Sequence, residues 1–179
     1  LLDYRARRPL ISFDQDHLTD YRAPRLELSF AHDSLGQPFL LLAGYEPDFA
    51  WDAFTDAVLD FAAAFDVHSV TWVHSIPMPV PHTRPIAITE HANNIELIVG
   101  DSRWRGELRI PSSAQALLEV RLGEWGHDAL GFVAHIPHYL AQLDYPAASI
   151  SLLEHVERAA WLTVDLSGLR AEAEAYRPV

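Results

Sequence analysis

Hydrophobic and polar positions along the chain divide it into short alternating stretches, apolar runs and helical stripes. Arg8 to Phe13 reads as an extended edge segment entered through Pro9, and Asp14 to Pro24 as a polar turn. From Arg25 to Ala31 the pattern alternates, with Leu26, Leu28 and Phe30 on one face, predicting a half-exposed strand that is antiparallel or at an edge. His32 to Pro38 is the connecting loop. Phe39 to Ala43 is apolar on both faces, the pattern of a central strand covered on both sides. Gly44 to Asp48 then turns the chain into a helix with Pro47 at its first position, carrying Trp51, Phe54, Val58, Phe61 and Phe65 as an inward stripe. The next strand is His68 to Ser75, rich in β-branched and aromatic residues. Strand, helix and strand in succession predict a βαβ unit with a right-handed crossover.

Pro77, Pro79, Pro81 and Pro85 fall within nine residues. Each fixes its own φ and restricts its predecessor, so this is a stiff loop that presents His82, Thr83 and Arg84. Ile86 to Thr89 is a further strand. Glu90 to Ile110 fits no single period: Asn93, Asn94 and Gly100 suggest turns, and Leu97 to Val99 a strand or helical turn. Ser112 or Ser113 caps a helix that turns Leu117, Leu118, Leu122 and Trp125 inward and stops near Gly126. Leu130 to Ala134 is another buried strand, running into His135 to Tyr139. Pro146 opens a helix with Ile150, Leu153, Val156 (or Glu157) and Ala160-Trp161 at helical spacing, and Asp165 to Val179 holds a last short helix. No repeat or linker interrupts the 179 residues, which are expected to form one α/β domain, with 166–179 as a C-terminal extension.

Composition narrows the function. All 13 basic residues are Arg, which excludes a Lys-bearing phosphate loop, a Schiff-base Lys and a Lys general base. A net charge of −12 opposes nucleic-acid and anionic-membrane binding. Without Cys there are no disulfides, thiolate nucleophiles or thiolate metal sites in this chain, which fits a cytoplasmic protein. No apolar run approaches the ~20 residues of a membrane span, and no secretory signal opens the sequence. The first residue is Leu1 rather than Met, so the chain is expected to be trimmed or to begin further upstream.

Ligands of open parallel α/β sheets bind beyond the carboxyl ends of the strands. Three segments follow expected buried strands there, and they place Glu46, Asp48, His82, Thr83, Arg84, His138 and Tyr139 on one candidate ligand-binding rim. Arg84 with Thr83 could hold an anion through its forked donor; alternatively it pairs with Glu46 or Asp48 and braces the loop, the expected arrangement. His82 could transfer protons at neutral pH, against the reading of a satisfied loop histidine. Glu46 and Asp48 could form an acid–base pair, although carboxylates at a helix start are common for electrostatic reasons. His135 and His138 have the look of a metal pair, but their spacing sends them to opposite faces, so no metal is assigned.

Gly44-Tyr45-Glu46-Pro47-Asp48-Phe49-Ala50-Trp51, Val80-Pro81-His82-Thr83-Arg84-Pro85 and Pro137-His138-Tyr139 together resemble the proteasome assembly chaperone 2 family, in particular its uncharacterised actinobacterial branch. Arg8-Pro9 matches that branch as well, and the similarity runs from about Arg5 to Asp165. The resemblance implies a three-layer α/β/α sandwich with a mostly parallel central sheet, of phosphorylase/hydrolase-like type. It further implies a homo-oligomer without a cofactor that works by protein contact, with proteasome subunits as candidate partners. This chain lacks the extra first strand and the Gly-Trp turn of such proteins, which leaves a sheet edge to be covered. Ala175-Tyr176-Arg177 has the outline of the family's C-terminal docking tripeptide, but Pro178 and Val179 follow it, so the motif is absent as written. Proteins of the bacterial branch also carry labels that link them to ATP-grasp ligases; the absence of Lys and of a Gly-rich phosphate loop counts against that chemistry here. The alternative to a contact protein is an enzyme or ligand binder using the rim.

Overall fold

The computed structural model describes residues 1–99, 104 and 106–175. Among these residues, three sheets and four helices make a mixed α/β architecture. β1 (Leu10–Asp14) and β2 (His17–Arg22) form an antiparallel hairpin, as do β3 (Leu26–His32) and β4 (Pro38–Gly44). The largest sheet has the order β5 (Ser69–Met78), β7 (Asp128–Pro137), β6 (Ile88–Ala92), with β5 parallel and β6 antiparallel to β7. Helices α1 (Trp51–Ala64), α2 (Ala114–Glu124), α3 (Pro146–Ala160) and α4 (Ser167–Ala175) complete the chain.

The core is built on β7, whose residues are buried along almost the whole strand. Alternation sends Leu130, Phe132, Ala134 and Ile136 to one face, where Ala148 and Leu152 of α3 pack on them. Ala129, on the other face, meets Leu59 of α1 and Leu118 and Leu122 of α2. Central position and two covered faces explain why this strand is a continuous apolar run.

Several expectations fail for physical reasons. The stretch taken as a polar turn contains β2, because Gln15 adopts a left-handed φ of 51° and closes a tight hairpin without glycine. β4, expected to be central, pairs only with β3 among the described strands, and Leu41 and Leu42 are exposed. The sequence β4–α1–β5 therefore does not close a βαβ unit within one sheet. Helix α1 begins at Trp51, whose Nε1 donates to the Pro47 carbonyl at 2.7 Å, so Pro47 precedes the helix. Its buried face carries Phe54, Thr55, Leu59 and Ala62; Phe61 and Phe65 stack on each other outside, with ring centroids 6.4 Å apart. Trp125 and Trp161 are exposed beyond the ends of α2 and α3, and α3 buries Ala148 and Leu152 rather than the stripe through Leu153.

Other features stand as read. Ser113 caps α2, its Oγ accepting from the Ala116 amide at 3.0 Å, and Gly126 follows the helix with a φ of 80°. Pro146 opens α3. The irregular region after β6 holds a short 3-10 turn, Ile95–Leu97, capped by Asn94. Gly100 and the tripeptide's Tyr176 and Arg177 lie outside the described residues.

Candidate functional site

The proline-rich segment starts later than its first proline. β5 continues through Pro77, opposite Ile136, to Met78. Proline is tolerated there because β5 is an edge strand of its sheet. The loop that follows, 79–87, faces the end of β7 and the first turns of α3.

Two open cavities flank this loop. One, about 330 Å³, is lined by His82, Arg84, Ile86, Ala147, Ser151 and Glu154, among others. The second, about 300 Å³, lies against Val80, Pro81, Arg84, His135, Pro137 and Tyr145. Arg84 belongs to both walls. Its backbone amide bonds the Pro81 carbonyl at 3.4 Å, while its guanidinium has no ion-pair partner among the described residues.

The expected brace between Arg84 and Glu46 or Asp48 is therefore not formed. Arg7 takes that role: its guanidinium reaches Asp48 at 3.3 Å and the Glu46 carbonyl at 2.9 Å, and lies 5.5 Å from the Tyr45 ring centroid. Asp48 also accepts the Asp3 amide at 2.8 Å. Glu46 Oε1 accepts the Ala114 amide at 2.7 Å and so satisfies a free N–H at the start of α2. Both carboxylates are engaged in holding the chain's first residues and α2 in place.

The other candidates divide in two. His82 and Tyr139 are brought together: the phenol oxygen lies 3.0 Å from the His82 amide and 2.8 Å from its Nδ1, with the rings edge to face. Tyr139 sits in the 3-10 turn His138–Leu140 that ends β7. Thr83 and His138 are exposed, and the structure gives neither side chain a partner among the described residues. His135 Nε2 lies 2.9 Å from Thr89 Oγ1, so it is engaged within the sheet rather than with His138. No group of three metal-ligating side chains occurs among the described residues.

A second polar cluster escaped the sequence reading. His74 (β5), His91 (β6) and Trp72 (β5) stand on one face of the sheet, and Glu119 of α2 reaches His91 Nδ1 at 2.8 Å. Burial, and then the neighbouring His91, hold the His74 imidazole below its ordinary pKa. Gly131 lies beneath His91 and Trp72, where a β-carbon would collide with His91 Nε2 and Trp72 Nε1. Gly131 was the available signal: a glycine inside a buried strand marks a close approach.

Comparison with known proteins places this geometry in a family. The PAC2 family model matches residues 1–178. The fold matches the crystal structure of a Mycobacterium tuberculosis protein of unknown function at 47% identity and a TM-score of 0.90, covering 98% of this chain and 61% of that one. A Corynebacterium glutamicum protein of unknown function matches at 35% identity and a TM-score of 0.91, with 98% and 65% coverage. A Mycobacterium tuberculosis proteasome-assembly chaperone homologue matches at 26% identity and a TM-score of 0.83, with 97% and 74% coverage. The chain thus spans less than two thirds of the length of the first two. No functionally curated protein matches it. From the hexapeptide at Val80–Pro85 to the tripeptide at the end of β7, the resemblance seen in the sequence extends to the whole fold, and the chain belongs to the PAC2 family.

Proposed function

We propose that this protein is a noncatalytic, proteasome-assembly-chaperone-like protein of the cytoplasm that works by protein–protein contact as a homo-oligomer. One observation carries the reading: the β1–β2 arm pairs only with itself among the described strands, yet Leu10, Phe13 and Leu18 are 77%, 71% and 63% exposed. An isolated hairpin is marginal in water, and covering each such side chain contributes about 1.5–3 kcal/mol. The arm therefore gains most when another chain covers it. The exposed Phe61–Phe65 pair adds a second apolar contact point. Similarity to a proteasome-assembly chaperone homologue supports proteasome subunits as partners.

The fold we propose for the whole is one domain over 1–179 of three-layer α/β/α, phosphorylase/hydrolase-like form with a mostly parallel sheet, residues 166–179 being a C-terminal extension. Parallel pairing of β5 with β7 and helices on both faces of β7 support it, while β6 runs antiparallel to β7. Light scattering tests self-association: the wild type is expected to be oligomeric and the Phe13→Ser, Leu18→Ser double variant smaller. Equal masses would remove the arm from the argument. Pull-down of the tagged protein from its native host at native abundance tests the partner, and the absence of proteasome α-subunits would count against it.

A second reading is favoured by Arg84, which lines two cavities and pairs with neither Glu46 nor Asp48. In that reading the strand-end rim binds a small ligand, or houses an enzyme of phosphorylase/hydrolase-like or ligase-like type. Thermal-shift measurements with nucleotides, nucleosides and phosphate separate the two: stabilisation by any of them supports the ligand reading, and none leaves contact alone.

A further inference from the structure

The contacts between Tyr139 and His82 favour one tautomer of the ring. The phenol oxygen accepts the His82 backbone N–H at 3.0 Å, and its single hydrogen is free to point at Nδ1, 2.8 Å away. In this arrangement the phenol accepts one hydrogen bond and donates another. Were Nδ1 protonated instead, two donors would face one oxygen and the hydroxyl hydrogen would have no protein acceptor among the described residues. This pattern favours the Nε2–H tautomer of the neutral His82 ring, with Nδ1 engaged and Nε2 left as a donor.

His82 lines the first of the two cavities together with Arg84, whose guanidinium has no counter-ion among the described residues. Ala147 lines it too; it is the second residue of α3, a 15-residue helix with no side-chain cap, and its amide adds a further donor, those of Ala148 and Ser149 being taken by the Tyr145 carbonyl. Glu154 is the one carboxylate among the lining residues, and it is engaged by Arg170 at 2.8 Å. Donors and one uncompensated positive charge are what a compact anion needs.

We propose that the cavity between the 79–87 loop and the start of α3 is an anion subsite that takes a phosphate or carboxylate group on Arg84 and His82. The proposal rests on the small-ligand reading of the rim and names its ligand class. Tyr139 is a positioning residue: it touches His82, and through it fixes the donor that faces the ligand.

The test is NMR titration of the full chain with inorganic phosphate, acetate and ribose in separate arms. Saturable shifts of the Arg84 side-chain and Ala147 amide signals are expected with phosphate or acetate, and the comparison of these two sets the anion's chemistry. Arg84→Gln alters an exposed side chain and is expected to weaken anion binding about tenfold or more. Tyr139→Phe is expected to weaken it less, and nitrogen-15 imidazole spectra should show His82 passing from one tautomer to a mixture. Shifts with ribose alone would overturn the anion class, and undiminished anion binding by the Arg84 variant would overturn the placement of the anion on Arg84; either leaves the ligand reading standing. Silence in all three arms would overturn both.

Discussion

Asp33 Oδ2 accepts the backbone amide of Thr163 at 2.7 Å, joining the β3–β4 turn to the segment after α3 across 130 residues of chain. The same carboxylate takes the Leu35 amide at 2.9 Å and the Gln37 amide at 2.7 Å, and Ser34 donates to the Thr163 carbonyl at 2.9 Å. Among the described residues this hairpin has no third strand, and the Asp33 side chain and one backbone bond tie its turn to the body. Desolvation pushes the Asp33 carboxyl up, but the amides of Thr163, Gln37, Leu35 and Gly36 together bring it below its ordinary value of 3.8. A depressed pKa means the unfolded chain binds its proton first as pH falls. The contribution is complete above the unfolded value and disappears as pH drops through the folded one. Asp33→Asn, which replaces one acceptor oxygen by a donor, is expected to lower the melting temperature at neutral pH and to flatten the acid limb of stability. Denaturation curves at several acidic pH values check this; an unchanged acid limb would contradict it.

His74 makes the same kind of prediction for a base, in a higher pH window. Its folded pKa lies below the ordinary 6.5, chiefly through burial and secondly through His91. The rings are 6.4 Å apart between centroids. Here too the unfolded state takes up the proton first, so stability is complete above pH 6.5 and erodes as pH falls below it. Proton NMR of the His74 ring is expected to show titration below the ordinary value. His91→Gln should raise it part of the way, because the burial contribution remains. Titration of His74 at or above its ordinary value would defeat the assignment.

Glu46 separates structure from catalysis. Its carboxylate meets the first amide of α2 at 2.7 Å while Ser113 meets the amide of Ala116 at 3.0 Å, so two side chains share the helix start. Glu46→Ala is expected to cost about 1 kcal/mol of stability, in the range of a lost N-terminal cap. Glu46→Gln keeps an acceptor and loses the charge, so a smaller loss is expected. Chemical denaturation measures both. Two variants as stable as the wild type would free Glu46 for another role.

What the sequence makes legible here is local. Ser113, Gly126 and Pro146 fix helix ends through backbone chemistry that needs no distant partner, and β7 is visible because an apolar run covered on both faces has no exposed positions. Features decided by distant partners were not legible. Spacing alone could not say that Leu59 and Ala62 would turn inward instead of Phe61 and Phe65, since both sets lie on helical stripes. β2 stayed hidden because His17-Leu18-Thr19-Asp20-Tyr21-Arg22 has no buried face to impose a pattern. At the site, the rigid loop and His82, Arg84 and Tyr139 were readable as neighbours of strand ends. That Arg7, forty-one residues from Asp48, would take that carboxylate while the Ala114 amide took Glu46, leaving Arg84 unpaired, depended on where the chain's first residues and α2 pack.

Gly131 offers the most direct check on the packing around β7. It pairs with Trp72 on one side and His91 on the other, and both side chains lean across it. A β-carbon there would press on the His91 imidazole and the Trp72 indole, and neither ring can retreat freely. Glu119 holds His91 at 2.8 Å, and Trp72 packs in the cluster with Leu59, Leu118 and Leu122. Gly131→Ala is therefore expected to destabilise the protein by about 1–3 kcal/mol, the range for overpacking. Removing the imidazole relieves most of the collision, so His91→Ala combined with Gly131→Ala should cost less than the two single losses added. A double-mutant cycle by chemical denaturation measures that coupling, with 0.5–3 kcal/mol expected for residues in contact, roughly. Additive losses would mean that the strand itself moves to admit the methyl group, and that His91 and Trp72 are not what requires a glycine at this position.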